Sequence, residues 1–216
     1  MRSWLIAFSI ILINTVDTVD SSAWNLSKED DGISVYTKTD SKSGLKVFRG
    51  VTKVETSLSN LVALMKSIED GPNWIYNCTE AKVLSADNFW EEYIYFRNHV
   101  RWPFRDRDAV VHMKLDQDPL TGILTISMKG VPDYIPETKK VVRMPVMEGY
   151  WQLAPVGDHV IVTYQMMSDP GKGIPDFLIR ISLIDYPFET LSKLRDRVNL
   201  PKYQNLTFPE LSLPKE

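Results

Sequence analysis

Only one cysteine, Cys78, occurs in the 216 residues, which excludes an internal disulfide and a cysteine-rich metal site. Histidine is nearly as scarce. His99, His112 and His159 lie apart, without metal-ligand spacing and without a motif joining any of them to a nucleophile. Charge of one sign is lacking too: 25 basic and 28 acidic residues leave a net charge of −3. That balance provides no basic footprint for nucleic acid and no electrostatic grip on an acidic membrane. No glycine-rich phosphate loop is present, because Gly171-Lys172-Gly173 lacks the required spacing. What remains, 44% hydrophobic and 25% charged, is the composition of a globular chain long enough to bury one core.

Long apolar runs are confined to the start. Arg2 precedes the run Trp4 to Ile13, broken only by Ser9. Ten helical residues rise about 15 Å, half of a bilayer core of about 30 Å, so the run suits a signal peptide better than a span. Ser21 and Ala23 supply the small residues of a cleavage site before Trp24. The reading is residues 1–23 as a signal peptide, 24–200 as one domain and 201–216 as an extended tail with three prolines. Retention of the run as an uncleaved anchor is the alternative. Export would place the protein in the periplasm of a bacterium, or outside the cell otherwise. The sequons at Asn25, Asn77 and Asn205 matter only in a eukaryotic secretory pathway.

Short strands fill the middle. Alternation and turn residues predict strands over 33–38, 46–54, 81–84, 90–98, 109–116, 123–129, 141–147 and 159–167. Leu61, Leu64, Met65 and Ile68 follow helical spacing behind a cap at Ser57 or Ser59. The last element, 176–199, reads as a helix of about seven turns. Its stripe runs through Phe177, Ile181, Ile184, Phe188, Leu191 and Val198, widened by Leu178, Ile179, Leu183 and Leu194. Pro187 inside it predicts a kink. Successive strands with short links favour an antiparallel sheet.

Parity assigns one inner face to Ala109, Val111, Met113 and Leu115, to Leu124, Ile126 and Met128, to Val142, Met144 and Val146, and to Tyr164 and Met166. On periodicity alone such a face is a packed core more readily than a cavity wall. Arg107 shares this parity while Asp108 faces away, and Arg143 alternates outward as a surface or pairing residue. Arg97 shares a face with Tyr93 and Tyr95, and parity leaves open whether that face is the inner one. Trp74 follows Gly71-Pro72 and suits packing or cavity lining.

Three stretches carry a family resemblance. Gly32-Ile33-Ser34-Val35-Tyr36 with Phe48-Arg49-Gly50, then Trp102-Pro103-Phe104-Arg105-Asp106-Arg107-Asp108-Ala109-Val110, then Asp169 to Leu178 resemble motifs of the START (steroidogenic-acute-regulatory-related lipid-transfer) superfamily, in order. Lys172 and Phe177 depart from its usual glycine and tryptophan. The resemblance implies an α+β helix-grip fold, a curved antiparallel sheet around a long C-terminal helix with an internal apolar cavity. It further implies a non-enzymatic carrier of one phospholipid or other acyl lipid, touching membranes transiently, acting as a monomer, with no cofactor or metal. Candidate ligand contacts are Trp74, Arg97, Arg107, Val111, Met113, Ile126, Met128, Met144, Tyr164, Met166, Phe177, Ile181, Ile184 and Phe188. The alternatives are a polyketide cyclase on the same fold and a lipid sensor or partner-binding module that does not transfer.

Overall fold

The computed structural model describes residues 24–212; the expected signal peptide, residues 1–23, lies outside the described residues. Ten strands form one curved sheet: β1 (Asn25–Asp30), β2 (Ile33–Thr39), β3 (Lys46–Val54), β4 (Cys78–Ala86), β5 (Glu91–Asn98), β6 (Arg107–Gln117), β7 (Leu124–Gly130), β8 (Val142–Arg143), β9 (Val146–Val156) and β10 (His159–Asp169). Their order is β1-β2-β3-β10-β9-β7-β6-β5-β4, all antiparallel, while β8 pairs parallel to β6. The helices are α1 (Leu58–Lys66) and α2 (Asp176–Arg197), with a 3₁₀ turn over Ile68–Asn73. This is the helix-grip architecture expected from the sequence. Among the described residues, no helix is long and apolar enough to cross a membrane.

Local chemistry explains the boundaries. Ser57, rather than Ser59, caps α1, its side chain accepting from the Asn60 amide at 3.2 Å. Gly71-Pro72 sit in the 3₁₀ turn that follows. The expected strand 141–147 is not one strand, because Pro145 offers no amide to a ladder. β8 ends before it and β9 begins after it, so parity does not carry across: Arg143 and Met147 are buried, and Val142, Met144 and Val146 only half-buried.

α2 is held unevenly. Pro187, Phe188, Thr190, Leu191 and Leu194 are buried, whereas no residue before Tyr186 in the helix is. The C-terminal half sits on Gly50 of β3, where an added Cβ would lie 2.6 Å from Leu191 Cδ1 and 3.3 Å from Pro187 Cβ. Glycine is needed there for close helix–sheet approach. Beyond the helix, residues expected to form an extended tail pack against the domain instead. Tyr203 is buried, Gln204 accepts from Asn60 Nδ2 at 3.1 Å, and the Phe208 ring lies 5.5 Å from that of Phe89. Tyrosine and phenylalanine among the prolines supply the apolar area that holds this segment down.

Asp70 gathers the two ends. It accepts from Arg197 Nε at 2.7 Å, Asn73 Nδ2 at 2.8 Å and Tyr203 Oη, and Lys202 Nζ lies 3.2 Å away. Partial burial pushes its carboxyl up, but the donors from Arg197, Tyr203, Asn73 and Lys202 together hold it well below the usual carboxylate range. A depressed folded-state value contributes stability that is complete above the unfolded value of about 4 and is lost as pH falls below it. Asp70→Asn is therefore expected to lower stability at pH 7 by about 1–3 kcal/mol. It should also flatten the fall in melting temperature below about pH 4 relative to wild type; thermal unfolding at stepped pH checks both.

Candidate functional site

Three voids run in series along the concave face of the sheet, the first two beneath α2 and the third beneath the end of α1 and the 3₁₀ turn. The widest, about 150 Å³, lies under the N-terminal half of α2 and is bounded by Phe48, Met144, Met147, Met166, Ile179, Leu183 and Tyr186, with Asn98, His99 and Arg107 among its polar neighbours. A void of about 30 Å³ shares Asn98, Met147, Tyr164 and Tyr186 with it. The deepest, also about 30 Å³, shares Ile75, Phe96, Met128 and Trp151 with the middle one and ends at Trp74. Aromatic rings mark the line: Trp151 stacks on Tyr164 at 3.7 Å, Trp74 meets Trp151 at 5.9 Å, and Phe48 meets Tyr164 at 5.0 Å. Burial pushes the Tyr164 and Tyr186 hydroxyls above their ordinary values, so both rings are neutral polar-tipped walls. Two buried polar atoms on this path have no hydrogen-bond partner, Asn98 Oδ1 and the Trp74 indole nitrogen.

The structure divides the candidate contacts. Arg107, Met144, Tyr164 and Met166 line the wide void, and Trp74, Met113, Ile126 and Met128 the deep one. Val111 is buried in the core and lines none of these voids, and Phe188 is buried with Lys28 Nζ 3.4 Å above its ring. The other helix candidates are displaced. Phe177 and Ile181 are 54% and 51% exposed, and Ile184 is half-buried without lining a void. The face turned inward is Ile179, Leu183 and Tyr186, each two residues on from Phe177, Ile181 and Ile184 and so on nearly the opposite side of the helix; Ile179 and Leu183 belong to the expected widening of the stripe. Apolar residues almost encircle this half of the helix, so spacing alone could not select the face.

Arg97 lies on the opposite face of β5 from Ile94 and Phe96, paired with Asp106 at 2.7 Å, and lines an outer groove rather than the voids. Arg143 and Asp108 also differ from expectation in burial. Asp108 does face away from the inner surface, yet residues 131–141 cover it. Arg143 grips it twice, at 2.9 and 3.1 Å, and also donates to Pro132 and Ile135 carbonyls. With side chains 2% and 1% exposed, this is a buried ion pair that fastens the covering loop.

Asn98, Trp151 and Tyr186 were missed by sequence reasoning. Trp151 belongs to β9, which the misread strand concealed; Tyr186 sits on the inward helical face; Asn98 ends a strand whose inner side parity left open. Among the described residues, the carboxylate and histidine cluster that could hold a metal lies away from the voids. Glu55, Asp158 and His159 bring possible ligand atoms within 4.8 Å elsewhere, but Glu55 is already paired with Lys53 at 2.5 Å.

Taken together, a concave sheet, a covering helix and a chain of apolar voids define a helix-grip binding protein. No family profile matches the chain. An uncharacterised protein of Pseudomonas aeruginosa is 34% identical over 173 residues, covering 80% of this chain and 85% of that one. The crystal structure of a STAR-related lipid transfer protein from Xanthomonas axonopodis superposes with a TM-score of 0.77 at 33% identity, covering 82% of this chain and 99% of that one. Human StAR-related lipid transfer protein 5 shares the fold at a TM-score of 0.73 and 14% identity, over 83% of this chain and 88% of that one. A Streptomyces aromatase/cyclase shares it at a TM-score of 0.51 and 8% identity, with 70% and 92% of the two chains covered. The chain belongs to the START superfamily.

Cys78 is buried, and burial pushes its thiol up to about 11. From an ordinary value near 9, that leaves about a hundredfold less thiolate at neutral pH. Ellman's reagent is expected to label the native protein at least a hundredfold more slowly than the urea-unfolded chain.

Proposed function

We propose that this protein encloses one acyl lipid between α2 and the sheet and carries it between membranes. The observation that supports this reading best is the run of three voids walled by Met, Phe, Trp and Tyr, adjoining the one half of α2 that is not anchored. Burying a chain gains about 0.8 kcal/mol per methylene, so binding needs a wall and no covalent step. The voids are smaller than the roughly 300–1,000 Å³ of drug-sized pockets. Loading a two-chain phospholipid therefore requires the N-terminal half of α2 to move outward. Gly171 (φ +74°) and Gly173 (φ +88°) hold left-handed conformations just before the helix, where a hinge would lie. Exposed Trp102, in the loop whose His99 and Val100 border the wide void, and exposed Phe177 and Ile181 on the moving half offer apolar groups to a bilayer surface. Export through the 1–23 segment and action as a monomer remain part of the proposal.

Native mass spectrometry of protein purified without detergent is expected to show one bound lipid. An unliganded mass that persists after incubation with mixed lipids would return the voids to an ordinary core. Met128→Trp, in the deep wall, should reduce loading more than it lowers the melting temperature. Ser168 and Ser182 both border the wide void, from β10 and α2. Cysteines at these two positions, joined by a short bismaleimide, should stop lipid exchange between vesicles while each single cysteine exchanges normally. Exchange unaffected by the crosslink would sink the hinge. Binding without exchange in the wild type would identify a sensor instead.

A second reading, a cyclase-like enzyme, draws on one feature. His99 borders the wide void and its Nδ1 lies 3.1 Å from Asp106 Oδ1, an arrangement that could orient an imidazole as a base. Asp106 also serves Arg97 and the Val100 amide, which gives the pair a structural use. A ligand recovered chemically unchanged after repeated exchange supports the carrier.

A further inference from the structure

The wide void is electrostatically one-sided. In a chain of net charge −3, its lining includes Lys46, His99 and Arg107 and no aspartate or glutamate. Arg107 is only 4% exposed, yet its guanidinium meets main-chain carbonyls alone. Nε donates to Pro170 at 3.1 Å, Nη2 to Lys172 at 3.0 Å and Nη1 to Arg105. No carboxylate among the described residues is within ion-pairing distance of it. Its sequence neighbours are engaged elsewhere, Asp106 with Arg97 and His99, and Asp108 with Arg143. Arg143, buried to a similar degree, shows the contrast: it holds a carboxylate with two hydrogen bonds. Burial lowers the Arg107 pKa from its ordinary value and nearby Arg105 lowers it further, while the charge of Asp106, held by Arg97, opposes the shift without reversing it. A buried cation without a counter-charge is costly, and an anion arriving beside it relieves that cost.

Resting on the acyl-lipid reading above, we propose that the ligand is an anionic single-chain amphiphile. Its carboxylate or phosphate monoester seats against Arg107 at the wide void, and its chain runs past Tyr186 toward Trp74. The guanidinium suits either head, because both accept two parallel hydrogen bonds. One chain, rather than two, matches voids of about 150, 30 and 30 Å³ in series.

The test compares palmitate, lysophosphatidate and uncharged hexadecanol by equilibrium dialysis at submicellar concentration. At least one anion is expected to bind wild type about tenfold or more tightly than hexadecanol. The preferred anion distinguishes a carboxylate site from a phosphate site. Arg107→Gln should abolish the preference, and Arg107→Lys, which keeps the charge, should retain part of it. Equal affinity of wild type for all three overturns the anion site and leaves the apolar cavity standing. Failure of all three to bind overturns both. Should Arg107→Gln not fold, the wild-type comparison and Arg107→Lys still decide the matter.

Discussion

The seating of the C-terminal half of α2 on Gly50 is the contact on which the site depends. A side chain at position 50 would meet Leu191 and Pro187, so the absence of one sets the depth to which the helix sinks onto β3. Asp70 locks that depth by tying Arg197, Lys202 and Tyr203 to the 3₁₀ turn behind α1. The other half of the same helix receives no such seat. It rests over voids instead of over packed side chains, and its approach is tethered by Arg107 through two carbonyls of the 170–172 segment. One helix is thus an anchor at one end and a cover at the other.

The two buried arginines do different work with the same group. Arg143 is neutralised by Asp108 and fastens a surface loop across the outer face of β6. Arg107, on the inner side, gives three of its five N–H donors to main-chain carbonyls and pairs with no carboxylate among the described residues. Hydrogen-bonding carbonyls can hold a guanidinium in place without cancelling its field. That difference separates a structural element from a recognition element in an otherwise apolar cavity.

The helix-grip fold carries both lipid-transfer proteins and an aromatase/cyclase, so function must be argued from the site. Here the site is dominated by methionine and aromatic side chains. Methionine adapts to irregular shapes, and the stacked Trp151 and Tyr164 provide a rigid rib along the void path. The titratable groups nearby are few, and the lone thiol is suppressed by burial. These features support containment more directly than turnover.

The amino-acid sequence by itself determined the elements with strong periodicity and clear punctuation: β3 over 46–54, the capped α1, the long final helix and the alternating inner faces of β6 and β7. It also carried the order of motifs that marks the superfamily. It did not reveal β9, because Pro145 ended one pattern and the next strand was read as its remainder. Nor could it select the inward face of α2, where apolar residues run almost round the helix. Burial of the Arg143–Asp108 pair, the packing of residues 201–212 and the separation of wall from core were decided by tertiary structure. The physical reason is common to all of them. Periodicity records which residues avoid water, but only the approach of distant segments determines whether they meet each other or line a space.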